Sequence, residues 1–140
     1  MIVLDTSALF SALLPDQPEG DRVRGALEAE PGPFVLSPFV LAELDYLITS
    51  RSRRPETGLK LLDDVASGTY ELASFEADAV AQAADIIRTY NDLRIGLTDA
   101  SIVVLAERYR TNRVLTLDER HFRALRTPSG GAFTLVPADA

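Results

Sequence analysis

Residues 1–10 read MIVLDTSALF, and this stretch decides the fold class. Ile2-Val3-Leu4 is a short continuous apolar run, which reads as a buried strand. Asp5 ends it. Thr6 and Ser7 then offer helix caps, and Ala8, Leu9, Ala12 and Leu13 recur behind them at helical spacing. A buried strand that passes through an acid into a helix is one half of a β–α unit.

The same grammar recurs downstream. PDQPEGD (15–21) is a breaker-rich loop, followed by a helix over about 21–30 with Val23 and Leu27 facing inward. Phe34-Val35-Leu36 is a second strand. Ser37-Pro38 opens a helix to about Ser52, with Val40, Leu44, Leu47 and Ile48 on one face. Another helix follows Pro55 and uses Leu59, Leu62 and Ala66. Tyr70-Glu71-Leu72 is a short strand. Helix 76–90 spaces Val80, Ala83, Ala84, Ile87 and Tyr90 for one face, and NDLRIGLT is a loop. Thr98 caps a helix containing Ile102, Leu105, Ala106 and Tyr109. Arg113–Leu117 is a fourth strand, a short helix carries Phe122 and Leu125, and Phe133–Val136 is the last strand. Strands that alternate with helices predict an α/β fold, a parallel sheet covered on both faces. Ligands of such sheets bind outside the carboxyl ends of the strands.

Composition narrows the chemistry. The chain has 140 residues, 46% hydrophobic and 25% charged, the profile of one globular domain over 1–140. It has no cysteine, which excludes a disulfide scaffold, a thiolate zinc site and a cysteine nucleophile. A single histidine excludes a His-rich metal centre. No apolar run approaches the roughly 20 residues that span a bilayer, and the N-terminus lacks the basic region of a signal peptide. The expected location is the cytoplasm. The net charge of −7 argues against a simple basic nucleic-acid binder. Of the 14 basic residues, 13 are Arg, whose planar fork suits phosphate; a compositional bias would produce the same excess.

Four acids carry the chemistry. Asp5 follows the first strand and Asp118 the fourth, and Asp99 lies in the first turn of an amphipathic helix. These three can reach the carboxyl edge of the sheet. Glu43 joins them if the helix after the second strand leans over that edge. The plainer readings are turn or cap residues for Asp5 and Asp118, a dipole effect for Asp99, and an Arg salt bridge for a buried Glu43. Convergence needs a cation, since two like charges about 4 Å apart repel by roughly 4 kcal/mol at an effective dielectric of 20. Mg²⁺ or Mn²⁺ prefers carboxylate and water oxygens. Setting these four acids aside moves the net charge from −7 to −3, so two divalent ions make the acidic total less hostile to a polyanion. An all-oxygen acidic site suits phosphoryl transfer, in which such ions supply an activated water and stabilise the leaving oxygen. Ser7 and Thr116 are placed to hold a water there, or merely to cap and fill.

His121 is a candidate general acid, but past the strand end on a short polar helix it reads first as a surface histidine; Asp92 is a candidate further ligand that reads first as a solvated loop acid. Arg51, Arg53 and Arg54 form one basic cluster. Arg108, Arg110, Arg113, Arg120, Arg123 and Arg126 form a second. Either can track phosphates, with Arg51, Arg53, Arg54, Arg113 and Arg120 as the candidate contacts, or simply solvate helix ends and faces.

Together, MIVLDTSAL, SPFVLAEL, LTDASIVVLAER and VLTLDERHF resemble the PIN-domain ribonucleases, most closely VapC-type toxins of bacterial toxin–antitoxin pairs. The resemblance spans nearly the whole chain in the family's order. It implies a single three-layer α/β/α domain with a five-stranded, mostly parallel sheet. It implies a Mg²⁺- or Mn²⁺-dependent endoribonuclease acting on structured RNA, often tRNA or rRNA. It also implies a homodimer and an antitoxin partner that blocks the site. Asp5, Glu43, Asp99 and Asp118 match the family's acidic quartet, and Thr6 or Ser7 its small polar position. The apolar residues of helices 38–52 and 55–66 are candidates for the dimer surface. A phospho-acceptor module needs a lysine after a late strand, and the only lysine, Lys60, lies in a helical stretch. A catalytically silent PIN-like metal- or RNA-binding module and a small-phosphoester phosphohydrolase remain as alternatives.

Overall fold

A computed structural model describes all of residues 1–140. Five short strands carry the architecture: β1 (Ile2–Leu4), β2 (Phe34–Leu36), β3 (Glu71–Leu72), β4 (Arg113–Leu115) and β5 (Thr134–Val136). They form one sheet in the order β3-β2-β1-β4-β5, and every neighbouring pair is parallel. Val3 stands between Val35 on one side and Val114 on the other. β1 is fully buried, which is why it reads as an unbroken apolar run.

Seven helices connect the strands: α1 (Thr6–Leu13), α2 (Gly20–Ala29), α3 (Pro38–Tyr46), α4 (Pro55–Ala66), α5 (Ala77–Thr89), α6 (Leu97–Arg108) and α7 (Glu119–Ala124). The chain moves outward from β1 to β3, then returns across the sheet through α5 and α6 to β4. Right-handed crossovers in opposite directions place these two groups of helices on opposite faces. α1 packs on α2 and α3, whereas α6 lies against β1 and α5. Ala100 to Ala106 is buried without interruption, so α6 is a core helix rather than an amphipathic surface one. The crevice between β1 and β4 is the point where the strand order reverses, the expected ligand position in an open parallel sheet.

The sheet is entirely parallel, as the alternation of strands and helices predicts. Several elements differ from expectation. β4 stops at Leu115 because Thr116 and Leu117 turn toward the site, although Thr116 N–H still bonds Val136 O at 2.9 Å. α3 gives way after Tyr46 to a wider π-helical turn over Leu47–Arg51. Gly96, not Thr98, precedes the first turn of α6, and a short 3₁₀ turn covers Asn91–Leu93.

Two helices bury a different face from the one their periodicity predicts. α5 buries Ala79, Ala83 and Ile86 and exposes Val80, because its small residues pack against α6. α4 buries Gly58 and Leu61 and leaves Leu59 62% and Leu62 39% exposed. A Cβ at Gly58 would overlap Thr49 Cγ2, so the glycine is the point where α4 approaches the π-helical turn. That close approach sets the rotation of the helix.

Candidate active site

The switch point brings the acids together. Asp5 is placed by the end of β1, where its N–H bonds Leu115 O at 2.9 Å. Its Oδ2 accepts hydrogen bonds from Ser7 Oγ and Thr116 Oγ1, both at 2.7 Å. Those hydroxyls in turn accept from backbone: Leu117 N–H donates to Ser7 Oγ at 3.0 Å, and Asp118 N–H to Thr116 Oγ1 at 2.9 Å. Each hydroxyl therefore gives its single proton to Asp5. Ser7 and Thr116 thus orient that carboxylate. The buried Thr6 hydroxyl has no partner.

Asp118 is the N-cap of α7, and its Oδ1 accepts from His121 N–H at 3.1 Å. Its Oδ2 lies 2.9 Å from His121 Nδ1, which lies 3.7 Å from Asp99 Oδ2. Ligand atoms of Asp99, Asp118 and His121 all fall within 4.8 Å of one another. His121 is thus part of the acidic cluster and not an isolated surface histidine. The helical i, i+3 spacing from Asp118 folds its ring back over the cap. The pair D-x-x-H at a strand end was the readable sign.

The turn that carries Asp99 is held by a second polar chain that composition did not reveal. Ser101 Oγ donates to Thr98 O at 2.6 Å and lies 2.7 Å from Ser37 Oγ. Its one proton is spent on Thr98, so Ser37 donates to Ser101. Ser37 Oγ meanwhile accepts from Phe39 N–H at 3.2 Å as the N-cap of α3. Both serines are fully buried. They tie the start of α3, which carries Glu43, to the start of α6, which carries Asp99. The only sign of them was a serine within an otherwise apolar helix.

Glu43 is exposed on α3 and makes no ion pair, contrary to both the buried placement and the Arg salt bridge considered for it. Its charge still acts on Asp99. Burial pushes the Asp99 carboxyl up to about 6, and the charges of Asp5, Asp118 and Glu43 push the same way while His121 opposes them. Burial also raises Asp5, against the pull of the Thr116 and Ser7 hydroxyls and the Thr6 amide. Asp5, Glu43, Asp99 and Asp118 have no arginine or lysine partner. Asp99, Asp118 and His121, gathered without a guanidinium or ammonium, form a donor set that fits a divalent ion.

The arginines separate into two groups. Arg113 begins β4 at the amino end of the sheet, opposite the acids, and pairs with the buried Glu30 at 2.6 Å. It is therefore removed from the phosphate-tracking set: it neutralises a buried acid. Arg54 pairs with Asp16 at 3.8 Å, Arg123 with Asp139 and Glu119, and Arg108 bonds Ser74 O. Arg126 folds onto Arg123 O and Leu125 O. Arg51, Arg53, Arg110 and Arg120 are exposed with no ion pair. Asp92 is an exposed residue of the 3₁₀ turn, as expected of a solvated acid. A cleft of about 660 Å³ lies elsewhere, between α5, α6 and the 126–130 loop, and none of the four acids lines it.

An all-parallel sheet with uncompensated carboxylates at its switch point is the architecture of a PIN domain, and the sequence matches that domain over residues 2–127. The chain belongs to the PIN-domain family, in its VapC group. It is 44% identical over 136 residues to Ribonuclease VapC26 of Mycobacterium tuberculosis (strain ATCC 25618 / H37Rv), covering 97% of this chain and 100% of that protein. The crystal structure of M. tuberculosis VapC20, a sarcin–ricin loop cleaving toxin, superposes with a TM-score of 0.79 at 15% identity, over 86% of this chain and 92% of that one. A DNA-bound VapBC complex from Salmonella typhimurium gives 0.70 at 21% identity, over 96% and 98%. These two structures share the fold. No helix of the chain is long and apolar enough to cross a membrane.

Proposed function

We propose that this protein is a Mg²⁺- or Mn²⁺-dependent endoribonuclease, the toxin of a toxin–antitoxin pair, acting on structured RNA such as tRNA or rRNA. The observation that carries this reading is the acidic cluster of Asp5, Asp99 and Asp118 at the β1/β4 switch point, with no arginine or lysine partner. The 44% identity to a protein named a ribonuclease supports RNA as the substrate.

Asp5, Asp99 and Asp118, with Glu43 acting on Asp99 from α3, would hold the divalent ion. When bound, the ion supplies a polarised water and stabilises charge at phosphorus and on the leaving oxygen. The chain's own groups do the positioning. Ser7 and Thr116 fix the Asp5 carboxylate, the Ser37–Ser101 relay fixes the turn that carries Asp99, and the α7 cap fixes Asp118. Arg51, Arg53 and Arg120, exposed and unpaired, are assigned to RNA phosphates, where positioning contacts come mostly from such side chains. Cytoplasmic location follows from that substrate. A single domain over 1–140, a homodimer and an antitoxin that covers the acidic edge complete the proposal.

The test is cleavage of labelled total RNA by wild type and Asp5→Asn in Mg²⁺, Mn²⁺ or EDTA. Wild type cleaves only with a divalent ion, and Asp5→Asn loses at least ~100-fold, the scale of an electrostatic group acting at the reacting centre. Cleavage that survives both EDTA and Asp5→Asn would overturn the reading. Metal binding without any RNA cleavage would favour a silent module or a small-phosphoester hydrolase.

A further inference from the structure

We infer that His121 is a direct ligand of the divalent ion at Asp99 and Asp118, and that its nitrogen donor biases the site toward Mn²⁺ over Mg²⁺. This rests on the metal-dependent reading above and extends it to a residue outside the acidic quartet.

The three groups stand at spacings that a coordination shell would use. In an octahedral complex with bonds of about 2.1 Å, adjacent ligand atoms lie roughly 3 Å apart and opposite ones roughly 4.2 Å. His121 Nδ1 is 2.9 Å from Asp118 Oδ2, an adjacent-ligand spacing, and 3.7 Å from Asp99 Oδ2, between the two. All three groups offer a ligand atom within 4.8 Å of the others. Asp118 Oδ1 is committed to the α7 cap, so Oδ2 is the oxygen left facing the imidazole. The ring is held by the first turn of α7, only partly exposed, and makes no other side-chain hydrogen bond. No guanidinium or ammonium competes for the place, since Arg120 pairs with neither acid. Mg²⁺ takes oxygen ligands in near-ideal octahedra and gains little from an imidazole. First-row transition ions accept nitrogen more readily, and Mn²⁺ is the member that also tolerates several carboxylates.

The chain contains one histidine, which makes the test specific. Tag-free full-length protein is loaded with Mn²⁺ and examined by pulsed electron paramagnetic resonance. A directly bound nitrogen gives ¹⁴N coupling to Mn²⁺, and histidine-selective ¹⁵N labelling of the wild type replaces it with the ¹⁵N pattern. His121→Asn loses the coupling and binds Mn²⁺ at least ~tenfold more weakly, since even groups that only support a ligand cost that much. His121→Asp, an all-oxygen site, shifts the Mn²⁺/Mg²⁺ preference toward Mg²⁺ by calorimetric titration. Bound Mn²⁺ with no histidine coupling overturns the inference while leaving the metal-dependent nuclease intact. This holds even if His121→Asn weakens binding, because the histidine then acts only through its hydrogen bond to Asp118. Wild type that binds no Mn²⁺ overturns both.

Discussion

Asp99 stands in a place where burial and three neighbouring carboxylates resist its charge. Its carboxyl rises from 3.8 to about 6, so the folded protein holds this proton more tightly than the unfolded chain does. The penalty is absent below about pH 4, grows as pH climbs through 4 to 6, and is complete above 6. A two-unit shift corresponds to about 3 kcal/mol at most. Metal-free wild type is therefore expected to lose stability across that window, relative to Asp99→Asn, in thermal melts with EDTA. A difference between the two proteins that stays constant from pH 4 to 7 would contradict it. Divalent ion restores the wild type at neutral pH. The serine relay makes a second prediction at this scale. Ser101→Ala leaves the buried Ser37 hydroxyl without its acceptor and should cost about 1–3 kcal/mol in urea unfolding. It also frees the turn that holds Asp99, so Mn²⁺ affinity falls with it.

Element boundaries were largely legible because they are local events. Ser37-Pro38 caps α3 as expected, and apolar triplets became strands. Helix faces were less legible. α4 carries Leu59, Leu61, Leu62 and Val65, which make two overlapping apolar stripes, and periodicity alone does not choose between them. The choice is made at Gly58, where α4 meets Thr49. Thr49 Oγ1 donates to Asp45 O at 2.6 Å, which locks its rotamer and aims Cγ2 at the glycine. Gly58→Ala gains about 1 kcal/mol of helix propensity but meets a clash of about 1–3 kcal/mol. The expected net result is a loss of about 1 kcal/mol in chemical denaturation. Adding Thr49→Ser, which removes the clashing methyl, should recover it. A Gly58→Ala protein more stable than wild type would show that the two segments are not tightly apposed.

On the scale of the whole molecule, the rotation of α4 leaves Leu59 and Leu62 on the surface, with Tyr46 also exposed on α3. These residues belong to the helices assigned to the dimer surface. Replacing both leucines, Leu59→Glu with Leu62→Glu, should convert a dimer to a monomer in light scattering while shifting the melting temperature little, since neither side chain is in the core. A dimer that survives both changes would move the interface elsewhere. The strand order has its own consequence: it brings β1 and β4, more than a hundred residues apart in sequence, side by side, and so sets Asp5 near Asp118.

Read alone, the chain determined that strands and helices alternate, that the sheet is parallel, and that Asp5, Asp99 and Asp118 lie where strands end or helices begin. These features depend on local spacing, breakers and caps, which act over a few residues. Tertiary structure decided the rest. It turned His121 into the cluster and committed the Ser7 and Thr116 protons to Asp5. It spent Arg113 on the buried Glu30, left Glu43 exposed and selected the inner faces of α4 and α5. Each depends on a partner distant in sequence. The identity of that partner is set by strand order and close packing, to which a one-dimensional pattern carries no reference.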